Sequence, residues 1–173
     1  MSKLKEKLYF KSGFTLIELL VVISIIGMLT ALVVVNFNAA RERARDVQRK
    51  SDLNQIKSAL RMYYNDYGAY PADDSGKILG CETEGITVCT WNGDNSWSAG
   101  AAGSEMVYMK ILPQDPLYDD QKYLYARDSD TDQNFFLSAT LENKSDSDIC
   151  DSQTHCGKTP CDQASGQYVV CAD

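Results

Sequence analysis

Gly13-Phe14-Thr15-Leu16-Ile17-Glu18, continued by Leu19-Leu20-Val21-Val22-Ile23-Ser24-Ile25-Ile26-Gly27-Met28-Leu29-Thr30-Ala31-Leu32-Val33-Val34-Val35, decides how the chain is read. Between Phe14 and Val35 the one charged residue is Glu18. At about 1.5 Å of rise per residue a helix over this span is roughly 33 Å long, enough to cross a hydrocarbon core. A carboxylate left near mid-bilayer costs about 2.5–3.5 kcal/mol, so Glu18 asks for a neutralising partner or a place near the interface.

A short basic flank precedes this run: Lys3, Lys5, Lys7 and Lys11 against Glu6. A secretory signal is cut after its apolar run, whereas here the small-residue site, Ser12-Gly13, lies before it. A cut after Gly13 keeps the apolar helix. The string G-F-T-L-I-E-L-L-V-V-I-x-I-I-G resembles the class III signal of type IV pilins and type II secretion pseudopilins. That resemblance implies that a prepilin peptidase cuts between Gly13 and Phe14 on the cytoplasmic side and methylates the new Phe14 amine. It also implies that Glu18, then the fifth residue, pairs with the Phe14 amine of a neighbouring subunit. Removing one partner of such a buried pair costs about 3–5 kcal/mol, so pairing would set subunit register. The alternative places Glu18 at the headgroup level of a solitary anchor.

The formal charge of the 173-residue chain is −7, and it is unevenly spread. From Pro71 onward 18 acidic side chains face 6 basic ones, which argues against nucleic-acid binding by this part. Arg41, Arg43, Arg45, Arg49, Lys50, Lys57 and Arg61 instead cluster behind the apolar run. Both flanks are basic, so positive charge does not orient the helix. The six cysteines (Cys81, Cys89, Cys150, Cys156, Cys161, Cys171) all follow Pro71, which suits an oxidising compartment and puts the leader inside and the distal part outside.

Residues 36–67 lack Pro and Gly and place Leu53, Ile56, Leu60, Tyr63 and Tyr67 on one stripe, predicting that the helix continues. Phe37, Ala40, Ala44 and Val47 form an earlier stripe slightly out of phase, and most of the charges between are expected on a solvated face. Gly68 supplies a stop and Tyr70-Pro71 keeps the chain extended. The run from Ala40 to Pro71 extends the resemblance toward major pseudopilins and short pilins. Relatives commonly carry proline at the site of Val35, and its absence removes an expected kink.

In the distal part, Ile86-Thr87-Val88 is a strand candidate bracketed by Cys81 and Cys89, whose pairing would close a short loop. Trp91 and Trp97 are expected to pack on the helix, an exposed aromatic tip being the sharper alternative. Ser104 to Leu112 reads as a short helix capped by Ser104. Lys122–Ala126 and Asn134–Leu141 read as a hairpin, with Gln167–Cys171 as a third strand. The Leu112-Pro113-x-Asp115-Pro116 turn and this hairpin are similar to the sheet region of major pseudopilins, relatives that bind a calcium ion in the loop after it. Asp146 and Asp148 are the residues that match, with Asp128, Asp130 and Asp132 as a rival acidic loop. No cofactor is otherwise required.

The spacing of Cys150, Cys156, Cys161 and Cys171 fits no zinc site; if Cys81 pairs with Cys89, these four still allow three disulfide arrangements. His155, the lone histidine, stands beside Cys156 without a third member for thiol catalysis, and no phosphate loop or paired-carboxylate site stands out, so no enzyme is expected. The expected fold is α+β and pilin-like: leader 1–13, membrane and assembly helix 14–35, amphipathic spine 36–70, and head 71–173 with a small antiparallel sheet stapled by disulfides. The expected function is a structural subunit of a type IV pilus or type II secretion pseudopilus. Its partners would be copies of itself, prepilin peptidase, an inner-membrane assembly platform and the membrane. The alternative is a membrane-tethered binding domain that never polymerises.

Overall fold

A computed structural model describes residues 13–83, 87–101, 105–118, 123–128 and 130–172, without the side chains of residues 32–36, 82 and 83. The leader to Ser12, Ile86, the cap Ser104 and Lys122 lie outside the described residues. Helix α1 runs from Leu16 to Tyr67, unbroken at Val35. It stops where the sequence places glycine: Gly68 takes φ 72° and donates its N–H to the Tyr64 carbonyl at 2.8 Å. The chain forms two compact units, one ending at Ala40 and one spanning Arg41–Asp173.

In the first unit every described side chain from Phe14 to Ala31 is exposed. Among the described residues no helix is long and apolar enough to cross a membrane.

The second unit packs the remainder of α1 against two sheets. Strands β1 (Asp73–Asp74), β2 (Lys77–Thr83), β3 (Thr87–Val88), β4 (Trp97–Gly100) and β5 (Met106–Met109) form the first sheet, ordered β1-β2-β4-β5 with β3 paired onto β2. Its β2–β4 pair is parallel and the others are antiparallel. Strands β6 (Leu124–Arg127), β7 (Phe135–Thr140) and β8 (Gln167–Cys171) form an antiparallel second sheet, with helix α2 (Asp148–His155) between β7 and β8. Leu137 stands opposite Tyr125 on one side and Val170 on the other. Phe135, Leu137 and Ala139 point inward at a period of two while Phe136 stays exposed, so one face of β7 meets the core. Leu53, Ile56, Ala59 and Leu60 of α1 join Ile78, Trp97, Tyr108, Leu112, Tyr123 and Tyr125 there.

Four features differ from the sequence reading. The stretch ending at Leu112 is not a helix: Met106-Val107-Tyr108-Met109 forms β5, because its apolar and aromatic side chains fit a pleated partner to β4 and Tyr108 is buried. The first sheet, β1 to β5, stands where turns and one strand were expected. Helix α2 was not foreseen. Asp46, Arg49 and Asp52, assigned with their neighbours to a solvated face, are buried. Trp91 and Trp97 are both buried, Trp97 with its ring 5.5 Å from that of Tyr63 on α1.

Candidate assembly site and head clasp

The start of α1 is set by Thr15-Leu16-Ile17-Glu18. Thr15 Oγ1 accepts from the Glu18 N–H at 3.2 Å, while Glu18 Oε2 accepts from Thr15 N–H at 2.9 Å and from Thr15 Oγ1 at 2.7 Å. This is a reciprocal capping box, which satisfies otherwise orphaned helix donors. Its T-x-x-E signature stood in the opening string, yet the sequence reading assigned Thr15 no part. The cap uses Oε2, and an ionised carboxylate has about four acceptor positions, so a neighbouring amine can join without breaking it.

Gly13 and Phe14 precede the helix, and Phe14 is 83% exposed. Among the described residues, a Cβ at position 13 would meet nothing within 4 Å, so their packing places no demand for glycine there.

In the second unit, α1 is pinned to the head by a buried ionic cluster. Arg49 is fully buried; its Nε and Nη2 donate to the two carboxylate oxygens of Asp115 at 2.8 and 3.0 Å. Its Nη1 donates to Asp46 Oδ1 at 2.7 Å and to Glu142 Oε1 at 2.9 Å. Arg45 closes the cluster with a fork onto Glu142, Nε to Oε1 at 2.6 Å and Nη2 to Oε2 at 2.5 Å. Asp46 also accepts the Glu142 and Asn143 N–H groups at 2.9 Å each. Asp115 in turn accepts the Leu117 N–H at 2.8 Å, which fixes the Leu-Pro-x-Asp-Pro turn against the helix. The hydrogen bond from Arg45, aided by Arg49, holds the Glu142 carboxyl below its usual range. Nearby, Asp52 accepts the Tyr123 hydroxyl at 2.7 Å, and burial pushes Asp52 up. The sequence named these basic residues as a cluster; it did not reveal Arg49 as the buried one.

The loop after β7 brings Asp146 and Asp148 together on one cation. Lys50 Nζ donates to Asp146 Oδ2 and to Asp148 Oδ2, both at 2.7 Å. Burial lowers Lys50 and raises Asp146, but their hydrogen bonds and mutual attraction prevail, leaving Lys50 above and Asp146 below its ordinary value. Asp128, Asp130 and Asp132 do not converge: Asp128 accepts the Asp130 N–H and the Thr131 hydroxyl, both at 3.0 Å, while Asp132 pairs with Arg127 at 3.2 Å. Among the described residues no group of three or more His, Cys, Asp and Glu side chains is arranged to hold a metal ion.

Three disulfides complete the head: Cys81–Cys89, Cys150–Cys161 and Cys156–Cys171. The second ties α2 to the segment after it, and the third ties the end of α2 to β8. These two were one of the three arrangements that spacing alone left open.

Residues 10–34 match the family model described as the prokaryotic N-terminal methylation motif. Over 135 residues the chain is 32% identical to the type II secretion system core protein G of Vibrio cholerae, covering 78% of this chain and 84% of that relative. The core protein G of Pseudomonas aeruginosa is 35% identical over 116 residues, 66% of this chain and 73% of its own. That of Pectobacterium carotovorum is 43% identical over 118 residues, 67% and 68% of the two chains. No solved structure matches significantly.

Proposed function

The chain belongs to the family of the type II secretion system core protein G, and from that premise we propose that it is a structural, non-catalytic pseudopilus subunit. In this reading prepilin peptidase removes residues 1–13 and methylates Phe14, and the mature subunit is anchored in the membrane by residues 14–35. It polymerises with its own copies on an inner-membrane platform, its head outside the cytoplasm. Segment 36–70 serves as the spine and 71–173 as the head.

The observation that carries the reading is the helix start. An exposed Gly13-Phe14 junction outside regular structure is open to a peptidase, and among the described residues no packing contact asks for glycine at position 13, which leaves its role to an outside protein. Directly after it comes an exposed apolar helix surface bearing one carboxylate. Such a surface wants a hydrocarbon or helical partner. The Phe14 amine of a second subunit answers the Glu18 charge, and pairing converts a non-directional apolar contact into a fixed stagger.

Gly13→Leu and Glu18→Ala separate the steps. The Gly13 variant is expected to accumulate as full-length precursor in membranes, seen by its mass. The Glu18 variant is expected to be cut and methylated yet to yield few or no filaments in sheared material. Normal filaments from Glu18→Ala would favour a register set elsewhere; an uncut wild-type chain would favour the monomeric tether.

A further inference from the structure

We infer that the acidic loop following β7 is closed by cationic and amide groups of the chain itself, Lys50 and Gln163, and that it needs no divalent cation. Asp146 and Asp148 have the hard oxygens that a calcium ion selects, but calcium requires six to eight such ligands at about 2.3–2.6 Å. Here the Lys50 ammonium lies 2.7 Å from a carboxylate oxygen of each. An ion bridging the two carboxylates would have to displace that ammonium or stand against its charge.

Two of the loop's backbone oxygens are engaged as well. Gln163 Nε2 donates to the Lys144 carbonyl at 2.7 Å and to the Asp146 carbonyl at 2.9 Å. The other oxygen of Asp146, Oδ1, accepts the Asp148 N–H at 3.0 Å. Two carboxylates and two carbonyls are thus gathered by donors from α1 and from the turn before β8. Lys50 is itself held in place, its side chain only 19% exposed and its Nζ 5.7 Å from the centre of the Tyr168 ring. A charge delivered by α1 does more than neutralise: it ties the loop to the spine, beside the Arg45 and Arg49 contacts to Glu142. The head would accordingly keep its fold where calcium is scarce. This concerns residues 41–172 only and does not rest on polymerisation.

The test uses the full chain in detergent, with calcium chloride alone as the probe. Wild type is expected to give no binding heat on calorimetric titration and a Tm that differs by less than about 1 °C between excess EGTA and millimolar calcium. Lys50→Met is expected to lose several degrees in EGTA and to regain part of them with calcium, whereas Lys50→Arg, which keeps the charge, stays near wild type. Stoichiometric calcium binding by wild type overturns the inference, and so does a Lys50→Met chain as stable as wild type in EGTA. Should Lys50→Met fail to fold, the wild-type titration still decides between the outcomes.

Discussion

Arg49 is the residue whose loss should tell most about how spine and head are joined. It is fully buried among Asp46, Asp115 and Glu142. Arg49→Met would leave Asp46 and Asp115 buried without their cation, at a cost of about 3–5 kcal/mol, measurable by urea unfolding. The acid limb of stability follows from the depressed carboxyls. A carboxyl held low in the folded state contributes stability that is present above its ordinary value, 4.5 for Glu142 and 3.8 for Asp146, and is lost as pH falls through the folded value. Asp52, raised by burial, acts with the opposite sign: its contribution is present at low pH and fades as pH rises. Glu142→Gln is therefore expected to melt below wild type at neutral pH, with the gap narrowing on acidification below about pH 4.5. A gap of constant size would mean that Glu142 acts through packing rather than charge. Much of this was hidden in the sequence, because Arg41, Arg43, Arg45 and Arg49 look alike as letters. Only the third dimension brings Asp115 to Arg49 and Glu142 to both Arg45 and Arg49.

Among elements, α1 was the most legible and the first sheet the least. The stripe of Leu53, Ile56 and Leu60 recurs every three to four residues, and all three are fully buried. Ile56→Ala should cost about 2–5 kcal/mol in urea unfolding, whereas Val47→Ala, at a side chain 67% exposed, should stay within about 0.5 kcal/mol. A comparable loss from Val47→Ala would show that the helix face is misassigned. The stripe does not bury evenly, since Tyr67 is 49% exposed near the helix end. The β6–β7 hairpin and β8 were readable from alternating apolar and aromatic residues. The β1 to β5 sheet was not, because its strands are two to seven residues long, β2 and β4 carry glycine, and one of its pairings is parallel, setting Glu82 and Thr83 beside Ala99 and Gly100. Short strands carry too few residues for period two to stand out. Helix α2 is also hard to read: it is eight residues long and largely polar, and its buried residues, Ile149 and Gln153, form a single helical pair.

For the whole molecule, the proposed function assigns processing and self-pairing to the N-terminal helix, while the head is closed by internal bonds. The three disulfides span 8, 11 and 15 residues, each worth about 2.5–3 kcal/mol by chain entropy. Cys150→Ser with Cys161→Ser should therefore lower Tm by several degrees while leaving processing at Gly13 intact. Polymerisation, in contrast, should depend on residues that contribute nothing to the stability of the head. Gly13, Phe14 and Glu18, the residues proposed for processing and pairing, lie in the unit that ends at Ala40, apart from the head core. The most direct test of processing and compartment together is the intact mass of the protein recovered from native membranes or sheared surface material, before and after reduction. The account predicts the loss of residues 1–13, the gain of one methyl group, and an increase of six hydrogens when the three disulfides are reduced. A full-length, unmethylated mass that reduction leaves unchanged would contradict it.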